Sequence, residues 1–179
     1  MDKRSRHTIK TGAAIRTTPG SVLLDAGRFD PLERERLGGP GLRSFAAISE
    51  RWGLSEVQRL SVLGFPGRST YHQWLAKARS RAKVLLPVDT LLRISAMLGI
   101  HKDLRILFGR EEDERAWLTK PHDAPLFGGQ PPLTLVVSGT QDGLMLVRRY
   151  LDAWRGGVFA APNAADGQAP YTNDDIVLV

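Results

Sequence analysis

From Leu42 onward the apolar residues recur at helical spacing. Leu42, Phe45, Ala46, Ile48 and Trp52 fall near one stripe, and Gly53 stops the run. Ser55 followed by Gln58 has the form of a capping box, which predicts a second helix with Val57, Leu60 and Leu63 on its inner face. Gly64, Pro66 and Gly67 break that helix, and a third is predicted from about Ser69, capped by its hydroxyl, to about Arg81. Pro87 marks the next boundary. VDTLLRISAMLGIHKDLRILFG, at 88 to 109, predicts an apolar helix interrupted at Gly99 and continued by a shorter one.

The pattern is more polar beyond Gly109. EEDERAWLTK, at 111 to 120, sets four carboxylates at a helix start, where the positive end of the macrodipole favours them, and Pro121 ends that helix. PPLTLVVSG predicts a short helix with Pro132 in its first turn. Thr140 is placed to cap a last long helix whose Leu144, Val147, Leu151 and Trp154 repeat at helical spacing. The chain therefore reads as all-α. Residues 1–40 lack sustained periodicity and end in GGPG, a chain breaker, so they read as a flexible basic arm. Within them VLLDAG, at 22 to 27, suits a short strand or a helical turn, and LERERL, at 32 to 37, one or two helical turns. Residues 158–179 form a polar tail that ends in an acidic and apolar NDDIVLV.

Composition supports a folded core: 42% of the 179 residues are apolar, and four are Trp. No run approaches the roughly 18 apolar residues of a membrane span, and the amino terminus lacks the apolar stretch of a secretory signal. A cytoplasmic protein without membrane partners is expected. The absence of Cys removes disulfides and thiolate metal sites from consideration. The net charge of +6 conceals an asymmetry. Residues 1–110 hold 20 Lys/Arg against 9 Asp/Glu, and residues 111–179 hold 5 against 10. A basic front suits a polyanion such as nucleic acid, and an acidic back suits a different partner, although both also fit ordinary solvated faces.

Two short helices around a glycine-containing turn are the signature of a helix-turn-helix, whose second helix enters the DNA major groove. On a wheel of 100° per residue, Tyr71, Trp74, Leu75 and Ala78 share an apolar stripe, while Ser69, Thr70, Gln73 and Lys77 lie opposite. The second set has chemistry for reading DNA: hydroxyls for phosphates or base edges, an amide for adenine, an ammonium for guanine or phosphate. Arg68, Arg79, Arg81 and Lys83 flank it as phosphate contacts. An amphipathic helix with a solvated polar face has the same spacing. Trp74 reads as a packing residue, and the Tyr71 hydroxyl as one within reach of the interface edge.

No phosphate-binding loop, dinucleotide fingerprint or nucleophile elbow occurs. His7, His72, His101 and His122 have no paired metal spacing, so no metal ligand, cofactor or catalytic residue is assigned. The adjacent His122 and Asp123 are the strongest pointer to an enzyme and remain a weak one.

The run STYHQWL, followed by LPVDTLLRISAMLGIHKDLRILFG, AWLTKP, GGQPPLTLVVSG and VRRYLDAW, resembles the Xre/MbcA/ParS antitoxins of RES-Xre toxin–antitoxin systems. The resemblance covers about residues 42 to 157. It implies an Xre-like helix-turn-helix DNA-binding module at 41–86 and a helical toxin-binding and dimerisation module at 87–157; most of the tail lies outside the match, and its acidic and apolar character suits either a disordered end or a segment that orders on a basic partner. It further implies a homodimer that binds double-stranded operator DNA, represses its own operon, and obstructs the active site of an NAD-degrading RES-domain toxin in a larger complex. Under this resemblance Ser69, Thr70, Gln73 and Lys77 match the reading helix. Arg148, Arg149, Tyr150 and Trp154, with Tyr171, Asp174, Asp175 and Val179 of the tail, become candidates for toxin contact. A stand-alone transcriptional regulator with a ligand-sensing carboxyl half is the alternative.

Overall fold

The computed structural model describes residues 30–157, and every regular element among them is helical. The order is α1 (Pro31–Arg51), α2 (Glu56–Val62), α3 (Arg68–Arg79), α4 (Val88–Phe108), α5 (Glu111–Thr119), α6 (Pro132–Val136) and α7 (Gln141–Arg155). The all-α expectation holds.

The GGPG segment does not break the chain. Asp30 caps α1, its Oδ1 accepting from the Leu32 amide at 2.7 Å, and the helix runs unbroken through Gly38, Gly39 and Pro40. Residues 31–40 are thus helical rather than part of an arm, and the boundary expected at residue 40 falls inside α1. Two effects make this possible. Proline clashes with the Cβ of the residue before it in a helical conformation, and Gly39 has none. Gly38 is buried beneath the extended segment that follows α3, where a Cβ would collide with the Val84 carbonyl oxygen. The glycines serve a close backbone approach.

Helix α2 carries the capping box: the Gln58 amide donates to Ser55 Oγ at 3.3 Å, and the Ser55 amide donates to Gln58 Oε1 at 2.9 Å. Its inner face differs from the wheel. Val62 and Leu63 are buried and Leu60 is half-buried, but Val57 is 74% exposed. The Ser61 hydroxyl, 2.9 Å from the Val137 carbonyl, helps set the roll of this two-turn helix. The turn to α3 passes through Gly64 and Phe65, at φ 84 and 59. Helix α3 begins one residue before the expected start, with Gly67 at the N-cap and no side-chain cap. Ser69 therefore lies inside the first turn, where its hydroxyl receives the Gln73 amide at 3.4 Å. The helix ends at Arg79, and Arg81 has left it at φ 59.

Helix α4 is continuous through Gly99, where a second helix was expected. That glycine makes room: a Cβ there would sit 2.7 Å from Cζ of Arg148. Helix α4 is the spine, packed on α1 by one side and on α7 by another, while α3 packs on α1. Helices α4 and α7 run in the same sense, since Arg93 bonds the Gly139 carbonyl, Arg148 that of Ser95, and Arg155 pairs with Asp103. A Thr140 cap on the Gly143 amide at 3.0 Å and a first-turn Pro132 appear as the sequence indicates. One apolar core reaches from Leu42 and Phe45 through Ile94, Met97 and Leu104 to Val147 and Leu151. None of the described helices is long and apolar enough to cross a membrane.

Candidate functional site

Helix α3 divides as its wheel indicates. Tyr71, Leu75 and Ala78 are buried and Trp74 is half-buried against the core, whereas Ser69, Thr70, Gln73, Lys77 and Arg79 are exposed. The hydroxyl and amide set lies on one outward strip of the basic half. Tyr71, at 2% exposure, is a packing residue and does not reach the edge of that strip. Arg81 is exposed just past the helix end, and Arg43 holds that end by donating to the Ala78 carbonyl at 2.9 Å. Arg68 is already paired, its Nε 2.6 Å from Glu56 Oε1, with His72 Nε2 3.5 Å from the other carboxylate oxygen. The Arg68 hydrogen bond holds the Glu56 carboxyl below its ordinary range. Lys83 pairs with Glu35 at 2.9 Å. Ser69, Thr70, Gln73 and Lys77 thus form the core of the strip, with Arg68 shared between the protein and whatever approaches it.

The acidic half is built on an aromatic cluster. The Trp117 ring, 6% exposed, lies 5.1–6.3 Å between centroids from the rings of Phe108, His122, Phe127, Tyr150 and Trp154. His122 Nε2 donates to the Trp117 carbonyl at 2.8 Å, so the ring proposed as an enzyme pointer is held in packing. Tyr150 and Trp154, half-buried at the rim, present their remaining surface beside the exposed Arg149. Arg148 is different in kind: it lies over Gly99, donates to the Ser95 carbonyl at 3.2 Å, and sits 3.6 Å from Asp152. It fastens α7 to α4. Tyr171, Asp174, Asp175 and Val179 lie outside the described residues.

Two buried carboxyls were not singled out by the sequence. Asp103 faces Arg155 at 3.0 Å, and burial, with the Asp152 charge next, pushes its carboxyl upward. Glu114 is 1% exposed although it belongs to the acidic first turn of α5. Its oxygens lie 3.4 Å from Arg105 and 3.7 Å from His101, and neither has a hydrogen-bond partner. Burial raises the Glu114 carboxyl against the nearby Arg105 and Arg51 charges, with Glu111 adding to the rise. Burial, together with Arg51 and Arg105, lowers His101. Only the fold separates Glu114 from its three acidic neighbours, because position 114 is the one turned toward α4.

The two shifts have opposite consequences. With its folded pKa above the unfolded value, Glu114 favours the fold most below its ordinary range, and that contribution is lost as pH rises through the folded pKa. With a depressed folded pKa, His101 contributes above its ordinary range and loses that contribution as pH falls through the folded value. Glu114→Gln is therefore expected to flatten the loss of stability on the alkaline side of the carboxylate range. Urea midpoints measured from pH 4 to 8 check this, and a parallel offset from wild type across the range would contradict it.

Residues 103–157 match the family of the antitoxin Xre/MbcA/ParS C-terminal toxin-binding domain. This segment belongs to the Xre/MbcA/ParS antitoxin family. The matched segment runs from the end of α4 through α7 and contains the whole Trp117 cluster. The antitoxin is also 41% identical over 116 residues to the uncharacterized protein y4oB of Sinorhizobium fredii, covering 65% of this chain and 84% of that one. The domain assigns the antitoxin a role in a toxin–antitoxin system and a toxin as its partner. Its basic half lies outside the matched segment, so the outward strip of α3 rests on geometry and charge.

Proposed function

We propose that this antitoxin neutralises an NAD-degrading RES-domain toxin by obstructing its active site, and represses its own operon by binding double-stranded operator DNA. The match of residues 103–157 to a toxin-binding domain carries the reading. Residues 41–86 form its DNA-binding part, residues 87–157 its toxin-binding and dimerisation part, and the tail from 158 continues the toxin contact. The antitoxin acts as a cytoplasmic homodimer, without catalysis or cofactor, and joins the toxin in a larger complex. NAD is the toxin's substrate.

The chemistry on each side is binding. The exposed Ser69, Thr70, Gln73 and Lys77 enter the major groove while Tyr71, Leu75 and Ala78 hold the helix, and Arg68, Arg79 and Arg81 meet phosphates. Arg68 exchanges Glu56 for a phosphate. On the opposite half, Arg149, the rims of Tyr150 and Trp154, and the tail residues Tyr171, Asp174, Asp175 and Val179 meet the toxin, while Arg148 keeps α7 in place.

Two experiments separate these functions. Gln73→Ala with Lys77→Ala is expected to weaken operator binding by at least about tenfold, since each lost base or phosphate contact costs about 1–3 kcal/mol, with toxin neutralisation intact. Fluorescence anisotropy with operator DNA measures it, and unchanged affinity would show that another face reads DNA. A chain truncated after Gly109 lacks α5 to α7 and is expected to lose neutralisation in cells expressing the neighbouring RES toxin. Full protection by the truncated chain would remove the antitoxin mechanism proposed for this half.

A further inference from the structure

Phe65, in the turn that leads into α3, combines two features that rarely occur together. Its φ of 59 is left-handed, and its side chain is 66% exposed. A bulky residue is seldom held in that region, and an exposed ring gains little burial in return. The ring lies over Gly139, in the turn between α6 and α7, where an added Cβ would collide with Phe65 Cε2. Arg93 of α4 is enclosed between the same two turns. Its Nη1 donates to the Gly139 carbonyl at 2.9 Å and its Nε to Asp89 Oδ2 at 2.6 Å, while a Cβ at Gly64 would come 2.9 Å from that Nε. Two more bonds hold the end of α2: Ser61 Oγ donates to the Val137 carbonyl at 2.9 Å, and Thr90 Oγ1 to that of Leu63 at 3.4 Å.

We propose that Phe65 and Gly139 are positioning residues for DNA reading, with the turn at 137–140 serving as the seat that sets the angle of α3. This rests on α3 as the operator reader. Val137 and Gly139 lie within the segment matched as toxin-binding, so the reading unit extends beyond residues 41–86 into that domain. The far end of α3 is fixed to α1, since Arg43 donates to the Ala78 carbonyl. Its near end is capped by Gly67, which has no side chain to bond it, and only Pro66 and Gly67 separate that end from Phe65. A shift of the ring therefore passes into the first turn, where Ser69 and Thr70 stand. Base contacts fail first under such a shift, because phosphates accept contacts at any sequence.

The test uses the full chain and two labelled duplexes, one from immediately upstream of its own reading frame and one of the same composition with shuffled sequence. Fluorescence anisotropy gives both affinities. Glycine suits φ 59, so Phe65→Gly is expected to keep a thermal midpoint near that of wild type. Its affinity is expected to fall about tenfold on the upstream duplex and less than about twofold on the shuffled one, with Phe65→Tyr close to wild type. Gly139→Ala pushes the ring aside, and is expected to reproduce the selective loss while adding nothing to it in the Phe65→Gly background. Gly129→Ala carries a similar backbone cost at φ 77 with nothing within 4 Å among the described residues, and is expected to change neither affinity. Equal losses on both duplexes overturn the seat, because a lost backbone contact or a loss of folded protein affects all sequences alike. A selective loss in Gly129→Ala as large as that in Gly139→Ala also overturns it. If Gln73→Ala with Lys77→Ala weakens operator binding and Phe65→Gly does not, the seat alone is refuted. If neither does, α3 is not the reader and the seat falls with it.

Discussion

Trp117→Ala is expected to destabilise the protein by about 3–5 kcal/mol, the range for deleting a buried tryptophan from a packed site. The ring is the centre of the acidic half: Phe108 comes from α4, His122 and Phe127 from the loop after α5, and Tyr150 and Trp154 from α7. Removing it withdraws a shared neighbour from three parts of the chain at once, and the His122–Trp117 carbonyl bond loses the packing around it. Helix α5 has nine residues and helix α6 five, so neither is stable without tertiary contact. Urea denaturation followed by circular dichroism measures the loss, with Trp154→Ala as a milder comparison because Trp154 is only half-buried. Loss of toxin neutralisation in cells is expected to follow from unfolding of this half. A midpoint shift equivalent to less than about 1 kcal/mol would mean that the cluster does not hold the module together.

Gly38→Ala is expected to destabilise the protein clearly more than Gly39→Ala. Helix propensity alone favours alanine at both by up to about 1 kcal/mol. At Gly38, however, the new methyl would strike the Val84 carbonyl oxygen, a backbone atom that cannot rotate away. Moving it shifts the segment that buries Val84 and Leu86, and overpacking of this kind costs about 1–3 kcal/mol or more. At Gly39 the nearest atoms are Arg43 Nη1 at 3.5 Å and the Ala82 carbonyl at 3.7 Å, which is ordinary contact. The proline that follows lowers the gain there, because a Cβ at 39 meets the Pro40 ring in a helical conformation. Thermal unfolding of the two variants side by side checks the contrast. Equal midpoints would refute the packing explanation of the GGPG segment.

That segment shows where local reading stops. Gly-Gly-Pro-Gly is a breaker by composition, yet α1 crosses it because Val84 and Leu86, more than 40 residues later, need the missing side chains. Gly99 is the same case with Arg148 as the distant cause. In both places the glycine signal was present and its origin was not local. The Ser55–Gln58 box, the Thr140 cap and the Gly53 stop were legible for the opposite reason, since each bond closes within a few residues. The strip of Ser69, Thr70, Gln73 and Lys77 was legible because helical period alone separates it from Tyr71, Leu75 and Ala78. Val57 was misplaced because a seven-residue helix has too few turns to define its own roll.

By itself the sequence determined the all-helical character, the local caps and stops, the two faces of α3, and the division of charge between a basic front and an acidic back. These are properties of neighbours within about one turn, or of sums over the chain. Tertiary structure alone decided that α4 is one continuous spine, that Arg148 fastens α7 while Arg149 stays outward, and that Glu114 is enclosed while the three carboxylates before it are exposed. It also decided that Trp117 gathers five rings. Each of these depends on which distant backbone or side chain arrives at a given position, and neither periodicity nor composition carries that information.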